Sequence, residues 1–276
     1  MVRNTILILL LLLPTLSVRA QEKIKGDRNV TIVETEVNSF KKIALYEKFD
    51  IVLIEGTQAS VEIETDENLH DVIEFSVIDS VLSFKTNAKI VSSKKMEIKV
   101  RYTKDLQEIE LKDDAEISAL TSLDIDNFFL KTYDNSRAYL NIKSSDFKFI
   151  GSGKSKSRLN IESSMTNLEL NDNTHLEALL VTDSTKVSSY MRSKAVVEGS
   201  SKNLELNAIS SSEFMGKNFT VNTCQLTIED SCDATLNVTD QISINATGNS
   251  DVFLYGTGKI TMERFTDSAS LQKKEF

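Results

Sequence analysis

Apolar and polar residues alternate along most of this chain, and this two-residue period is its dominant signal. Val30-Thr31-Ile32-Val33, Ile51-Val52-Leu53-Ile54, Val61-Glu62-Ile63-Glu64, Leu82-Ser83-Phe84-Lys85 and Met96-Glu97-Ile98-Lys99-Val100 all read as strands. One stretch, Thr65 to Ile73, reads as a helix of one or two turns. Thr65 would cap it, Asp66 and Glu67 suit its positive first turn, and Leu69, Val72 and Ile73 share a face.

Beyond Leu106 the alternation becomes a repeat. Each unit carries two alternating apolar residues, a small or acidic turn cluster, and a further apolar residue on the same side. The units begin at Ile109, Leu130, Phe147, Leu168, Leu204, Leu226 and Ile242, separated by 21, 17, 21, 36, 22 and 16 residues. Counting the gap of 36 as two units gives a mean near 19. One such unit cannot bury its own apolar stripe, whereas stacking units about 4.8 Å apart buries a continuous core. The corners then need bends, some with positive φ, which Gly, Asn and Asp tolerate best. A β-sandwich would also have short, turn-punctuated strands, but similarity between the units favours the stack. The expected fold is all-β, a right-handed parallel β-helix or solenoid-like stack. Its divisions are residues 1–20 as a signal peptide, 21–104 as a strand-rich N-terminal block, 105–262 as the repeats, and 263–276 as a cap or tail.

The N-terminus bears on location. Arg3 precedes an apolar run from Ile6 to Leu13, Pro14 breaks it, and Val18-Arg19-Ala20 offers a cleavage site. That is the layout of a secretory signal peptide, too short for the roughly 20 apolar residues of a membrane span. The expected product is exported to the periplasm or the cell surface of a Gram-negative bacterium, with no membrane insertion after cleavage. Losing Arg3 and Arg19, and no acid, takes the net charge from −9 to −11. An anionic surface repels phosphate backbones, so nucleic acid is excluded as a partner class.

Little in the sequence points to catalysis. His70 and His175 are the two histidines, each in a polar stretch without a ligand partner at metal spacing. No nucleophile elbow, phosphate loop or dinucleotide fingerprint occurs. Cys224 and Cys232 read as small buried hydrophobes or as a local disulfide, which export would permit. Acids are the remaining candidates. Asp113-Asp114, Asp124 with Asp126, and Asp172 would form oxygen-rich ladders if corners stack, and calcium takes 6–8 such ligands. Solvated turn acids explain them equally. A lyase on this scaffold would add a base such as Arg137 or Arg158 to a calcium cluster.

The chain resembles the auto-transporter adhesin, head GIN domain family of exported bacterial proteins. The likeness covers roughly residues 37–265. It rests on Phe40-Lys41-Lys42-Ile43, Phe49-Asp50-Ile51-Val52-Leu53-Ile54-Glu55-Gly56, Asp66-Glu67-Asn68-Leu69 and Asp105-Leu106-Gln107-Glu108-Ile109. Only Gly151-Ser152-Gly153 keeps the Gly-Ser-Gly corner typical of the family. The resemblance implies export, in all expectation from a member of the Bacteroidota, and a parallel β-helix-like fold. It implies no activity and no catalytic residues. The expected function is a non-enzymatic cell-envelope or surface binding protein that meets a glycan or another envelope protein. The alternatives are a polysaccharide lyase or hydrolase, and an envelope structural module with no ligand of its own.

Overall fold

The computed structural model describes residues 22–276. The expected signal peptide and its expected cleavage point near Ala20 lie outside the described residues. All five strands read from alternation form, within Val30–Glu36, Asp50–Glu55, Ser60–Asp66, Val81–Thr86 and Met96–Tyr102. The helix is shorter and tighter than its pattern predicts, a 3₁₀ segment Glu67–Val72. Thr65 does not cap it. Thr65 is the penultimate residue of a strand, and its hydroxyl donates to the Lys95 carbonyl instead.

The molecule is a parallel β-solenoid of about nine turns. Its long strands Arg137–Gly151, Lys156–Leu170, His175–Met191, Lys194–Ser210, Glu213–Ile228 and Asp233–Ala246 stack in parallel, each bending once along its length. Ile109, Leu130, Phe149, Leu168, Val187, Leu206, Leu226 and Ile244 occupy one inward column. All are essentially without solvent exposure. Fully burying each such side chain contributes about 1.5–3 kcal/mol, and every coil supplies half the wall against which the next one packs.

This column corrects the repeat as the sequence presents it. Phe147, Leu204 and Ile242 lie two residues early, in a neighbouring inward column with Phe128, Thr166, Thr185 and Cys224. The true steps from Ile109 are 21, 19, 19, 19, 19, 20 and 18 residues. The mean near 19 stands, and the scatter shrinks.

Strand pairing shows where the coils run on either side of the repeats. Lys42–Leu45 and Asp50–Glu55 already pair in parallel with Glu108–Leu111 and Glu116–Ala119, so the first coil precedes residue 105. Val81–Thr86 and Met96–Tyr102 pair beneath that coil, joined by antiparallel partners that close the end of the stack. Phe84 fills this closure against Phe49 and Phe75, with centroids 5.6 and 5.8 Å away. At the other end, Ser270–Lys273 pairs in parallel with Asp251–Tyr255, so residues 263–276 continue the winding.

Candidate binding surface

Each coil turns one sharp corner, and the corner explains the acids. Asp113, Asp134, Gly153, Asp172, Met191, Ser210, Asp230, Gly248 and Asp267 occupy one corner position in consecutive coils, all with φ between 55° and 77°. This left-handed conformation costs most L-residues about 1–2 kcal/mol, less for Asp and Asn. The aspartates do more than tolerate it. The Asp113 carboxylate accepts the Glu47 N–H at 2.9 Å, Asp172 accepts that of Gly153 at 2.8 Å, and Asp267 accepts that of Gly248 at 3.1 Å. Each therefore ties its own coil to the one before.

The calcium candidates separate accordingly. Asp113 and Asp172 stand three coils apart, roughly 14 Å at the strand spacing, with a carboxylate oxygen of each engaged by backbone. Asp114 is exposed beside Asp113, Asp124 ends the short strand Leu123–Asp124, and Asp126 accepts from the Ser145 hydroxyl at 3.1 Å. Among the described residues, no three His, Cys, Asp or Glu side chains come together at metal-binding distance. Arg137 leans on Glu116 at 3.5 Å and Arg158 on Glu177 at 2.8 Å. His175 is 3.4 Å from the same Glu177, and His70 lies 3.0 Å from the Thr31 hydroxyl.

Just inside the corner runs a column of small buried groups, Ser136, Ser155, Thr174, Ser193, Ser212, Cys232 and Ser250. Cys232 takes a serine's place there, with its sulfur 3.4 Å from the Ser212 hydroxyl. Cys224 takes an apolar residue's place in the column of Leu204 and Ile242. The two thiols are buried and unbridged. Burial pushes the Cys224 thiol up to about 12 and raises that of Cys232 as well. Neither is poised as a nucleophile.

The outward face of the strands that follow the corner is different in character. Tyr139, Leu179, Val181 and Met215 are 38%, 47%, 54% and 39% exposed, with half-buried Val196 between them. Asn160 donates to Asn141 at 2.6 Å, beginning an amide ladder that Leu179 then interrupts. Shallow depressions of about 260 and 370 Å³ lie over Leu179. A groove of about 500 Å³ continues around the bend, lined by Ser144, Ser164, Thr182, Asp183 and Lys202. Alternation alone marks these residues as outward. It does not show that three coils bring Leu179, Val181, Val196 and Met215 side by side, with Tyr139 set apart beyond the Arg158–Glu177 pair, because that requires the register.

The first outward position of the same strands carries charge. Arg137, Lys156, His175, Lys194, Glu213, Asp233 and Asp251 follow one another coil by coil. Partial burial and the neighbouring Asp251 and Glu213 raise the Asp233 carboxyl above its ordinary range.

Fold and surface together define a β-solenoid with an open outer face. The chain belongs to the family described as "Putative auto-transporter adhesin, head GIN domain", whose model matches residues 39–160 and again 146–258. Two crystal structures named as putative adhesins are similar. One, from Parabacteroides merdae, is 17% identical with a TM-score of 0.65, covering 92% of this chain and 99% of its own. The other, from Parabacteroides distasonis, is 18% identical with a TM-score of 0.66, covering 92% and 100%. A third, named as a putative lipid binding protein from Parabacteroides distasonis, is 16% identical with a TM-score of 0.62 over 92% of this chain and 100% of its own. At these identities the likeness is one of fold. No curated protein matches the chain. No described helix is long and apolar enough to cross a membrane.

Proposed function

We propose that this chain is an exported, non-enzymatic binding module of the cell envelope or surface, an adhesin in the sense of its family. Its ligand would meet the face built from Tyr139, Asn160, Leu179, Val181, Val196 and Met215. One observation carries the reading: the aliphatic side chains Leu179, Val181, Val196 and Met215 stand clustered on a sheet where their outward neighbours are Asn160, Glu162, Glu177, Glu198, Ser200 and Thr235. Such clusters mark interaction sites when they are contiguous and rimmed by polar groups. Family membership supports export and adhesion, and the signal-like N-terminus agrees. The rings of this sheet, Tyr139 at one end and Phe253 and Tyr255 at the other, stand two coils away from the aliphatic cluster, whereas sugar subsites are commonly floored by rings. That favours a protein surface over a glycan as ligand.

Beads coated with residues 22–276 test this on surfaces bearing neutral or acidic polysaccharides or the protein itself, with and without calcium. Leu179→Asp is expected to abolish retention, while Gln225→Asp on the opposite sheet leaves it intact. Release of new reducing or unsaturated sugar ends would overturn the non-enzymatic reading. Equal retention by Leu179→Asp would overturn the choice of face.

A further inference from the structure

The charges on the candidate face are ordered in a way the chain does not satisfy by itself. Asp50 and Glu116 open one outward column, Arg137, Lys156, His175 and Lys194 occupy its next four coils, Glu213, Asp233 and Asp251 the three after those, and Ser270 the last. Neighbours in this column sit one strand spacing apart, about 4.8 Å, where like charges repel and opposite charges attract. Signs alternate on the other sheet, where Lys42 lies 3.0 Å from Glu108 and Glu108 lies 2.9 Å from Lys131. On the candidate face the column pairs only where its sign changes, Glu116 with Arg137 at 3.5 Å and Lys194 with Glu213 at 2.9 Å. Among the described residues, neither Asp233 nor Asp251 has a cation within ion-pair distance, and Lys156 has no carboxylate. Across the seven coils from Arg137 to Asp251 a basic run meets an acidic run, and such like-charge runs cost the isolated molecule stability. The pair of runs is complementary to its own reverse.

We propose that the partner of this face is a second copy of the chain, packed sheet to sheet with its solenoid axis reversed. This rests on the reading of the face as the binding surface. The two-fold axis runs along the strands, between the coil of Lys194 and that of Glu213. Lys156 then faces Asp251 of the second copy, His175 faces Asp233, and the Lys194–Glu213 pairs of both copies form an alternating square. Val196 and Met215 meet each other's counterparts beside the axis, so the exposed aliphatic cluster lies inside the contact. The opposite arrangement, with axes aligned, sets lysine over lysine and acid over acid. Size agrees as well. Seven coils of seven-residue strands span roughly 800 Å² per copy at about 4.8 Å between strands and 3.3 Å per residue, comparable with a standard stable interface.

The test is sedimentation equilibrium on residues 22–276. Wild type is expected to be a reversible dimer that salt weakens. Lys156→Glu and Asp251→Lys each place two like-charged pairs across the axis, and each is expected to weaken dimerisation at least about tenfold. The double variant Lys156→Glu/Asp251→Lys restores attraction only between copies, because the two positions stand five coils apart within one chain. It is expected to dimerise like wild type, as is an equimolar mixture of the two single variants. Circular dichroism checks that every variant folds. A monomeric wild type overturns the proposal, as do single variants that dimerise normally or a double variant that stays monomeric. If the proposal falls while Leu179→Asp still abolishes bead retention on a polysaccharide, the face remains a binding surface with another ligand. If Leu179→Asp also changes nothing, both readings fall.

Discussion

Single residues in this protein are chosen by the column they occupy. Met191 is the exception among the left-handed corners, a long apolar side chain at φ 59° and more than half exposed where five other coils place aspartate. Met191→Asn is expected to raise stability by up to about 1 kcal/mol, because Asn adopts this conformation more readily. Asp172→Ala removes the acceptor of the Gly153 N–H and puts alanine in the same conformation, for an expected loss of about 1–3 kcal/mol. Urea unfolding reads both. Gly199 cannot be exchanged in this way, since at φ 102° a Cβ would lie 2.1 Å from the Leu180 carbonyl oxygen. The buried titrating groups set the alkaline limit. Folding raises Cys224 from 9.0 to about 12 and Tyr102 from 10.0 to about 12, burial being the main cause in each. The unfolded chain therefore releases these protons first, and stability must fall as pH rises from about 9 towards 12. Cys224→Val is expected to flatten that decline, and melting temperature against pH checks it.

At the scale of elements, the strands were legible because a half-buried strand writes its geometry as strict alternation, as in Met96 to Val100. The register was not. Phe147 and Phe149 both point inward, so either serves as the start of a repeat, and only the partners Phe128 and Leu130 decide between them. The same degeneracy hid the first coil, because Lys42–Leu45 and Asp50–Glu55 are followed by some fifty residues before Glu108–Leu111 resumes the stack. The acids at the corners were visible as a pattern. Their work as acceptors for the preceding coil was not, since it depends on what lies beneath. Charged neighbours across those coils make a measurable prediction. Lys42 bridges Glu108 and Glu110 at 3.0 and 2.5 Å, and Lys112 holds Glu110 at 2.7 Å between the rings of Tyr46 and Tyr133. Burial works against both carboxylates, but the lysines outweigh it and hold them below the usual range. Their contribution is present above the ordinary carboxylate pKa and is lost as pH falls through the lowered folded value. Lys42→Met is expected to cost about 1–3 kcal/mol at neutral pH and much less in acid, by urea unfolding across that range.

For the molecule as a whole, the columns imply that a coil is a removable unit. Each one touches only its neighbours, so stability is close to a sum of coils and the contacts between them. Lys156 pairs with His175, Leu168 with Val187 and Ser155 stacks on Thr174, so the step here is 19 residues. Deleting residues 156–174 joins Ser155 to His175 and returns every following side chain to its column. The shortened chain is expected to fold, to keep its β-sheet circular dichroism, and to lose denaturant sensitivity only in proportion to the residues removed. Deleting residues 156–173 instead joins Ser155 to Thr174, and a one-residue slip turns the inward set outward unless a bulge absorbs it. A bulge is already present where Gly199 meets Phe219, between the fourth and fifth long strands, but none interrupts the pairing of Lys156–Leu170 with its partners. The 18-residue deletion must therefore be clearly less stable than the 19-residue one. Equal stability for the two would mean that the inward columns, and with them the face on which Leu179 and Val196 stand together, do not govern how this chain stacks.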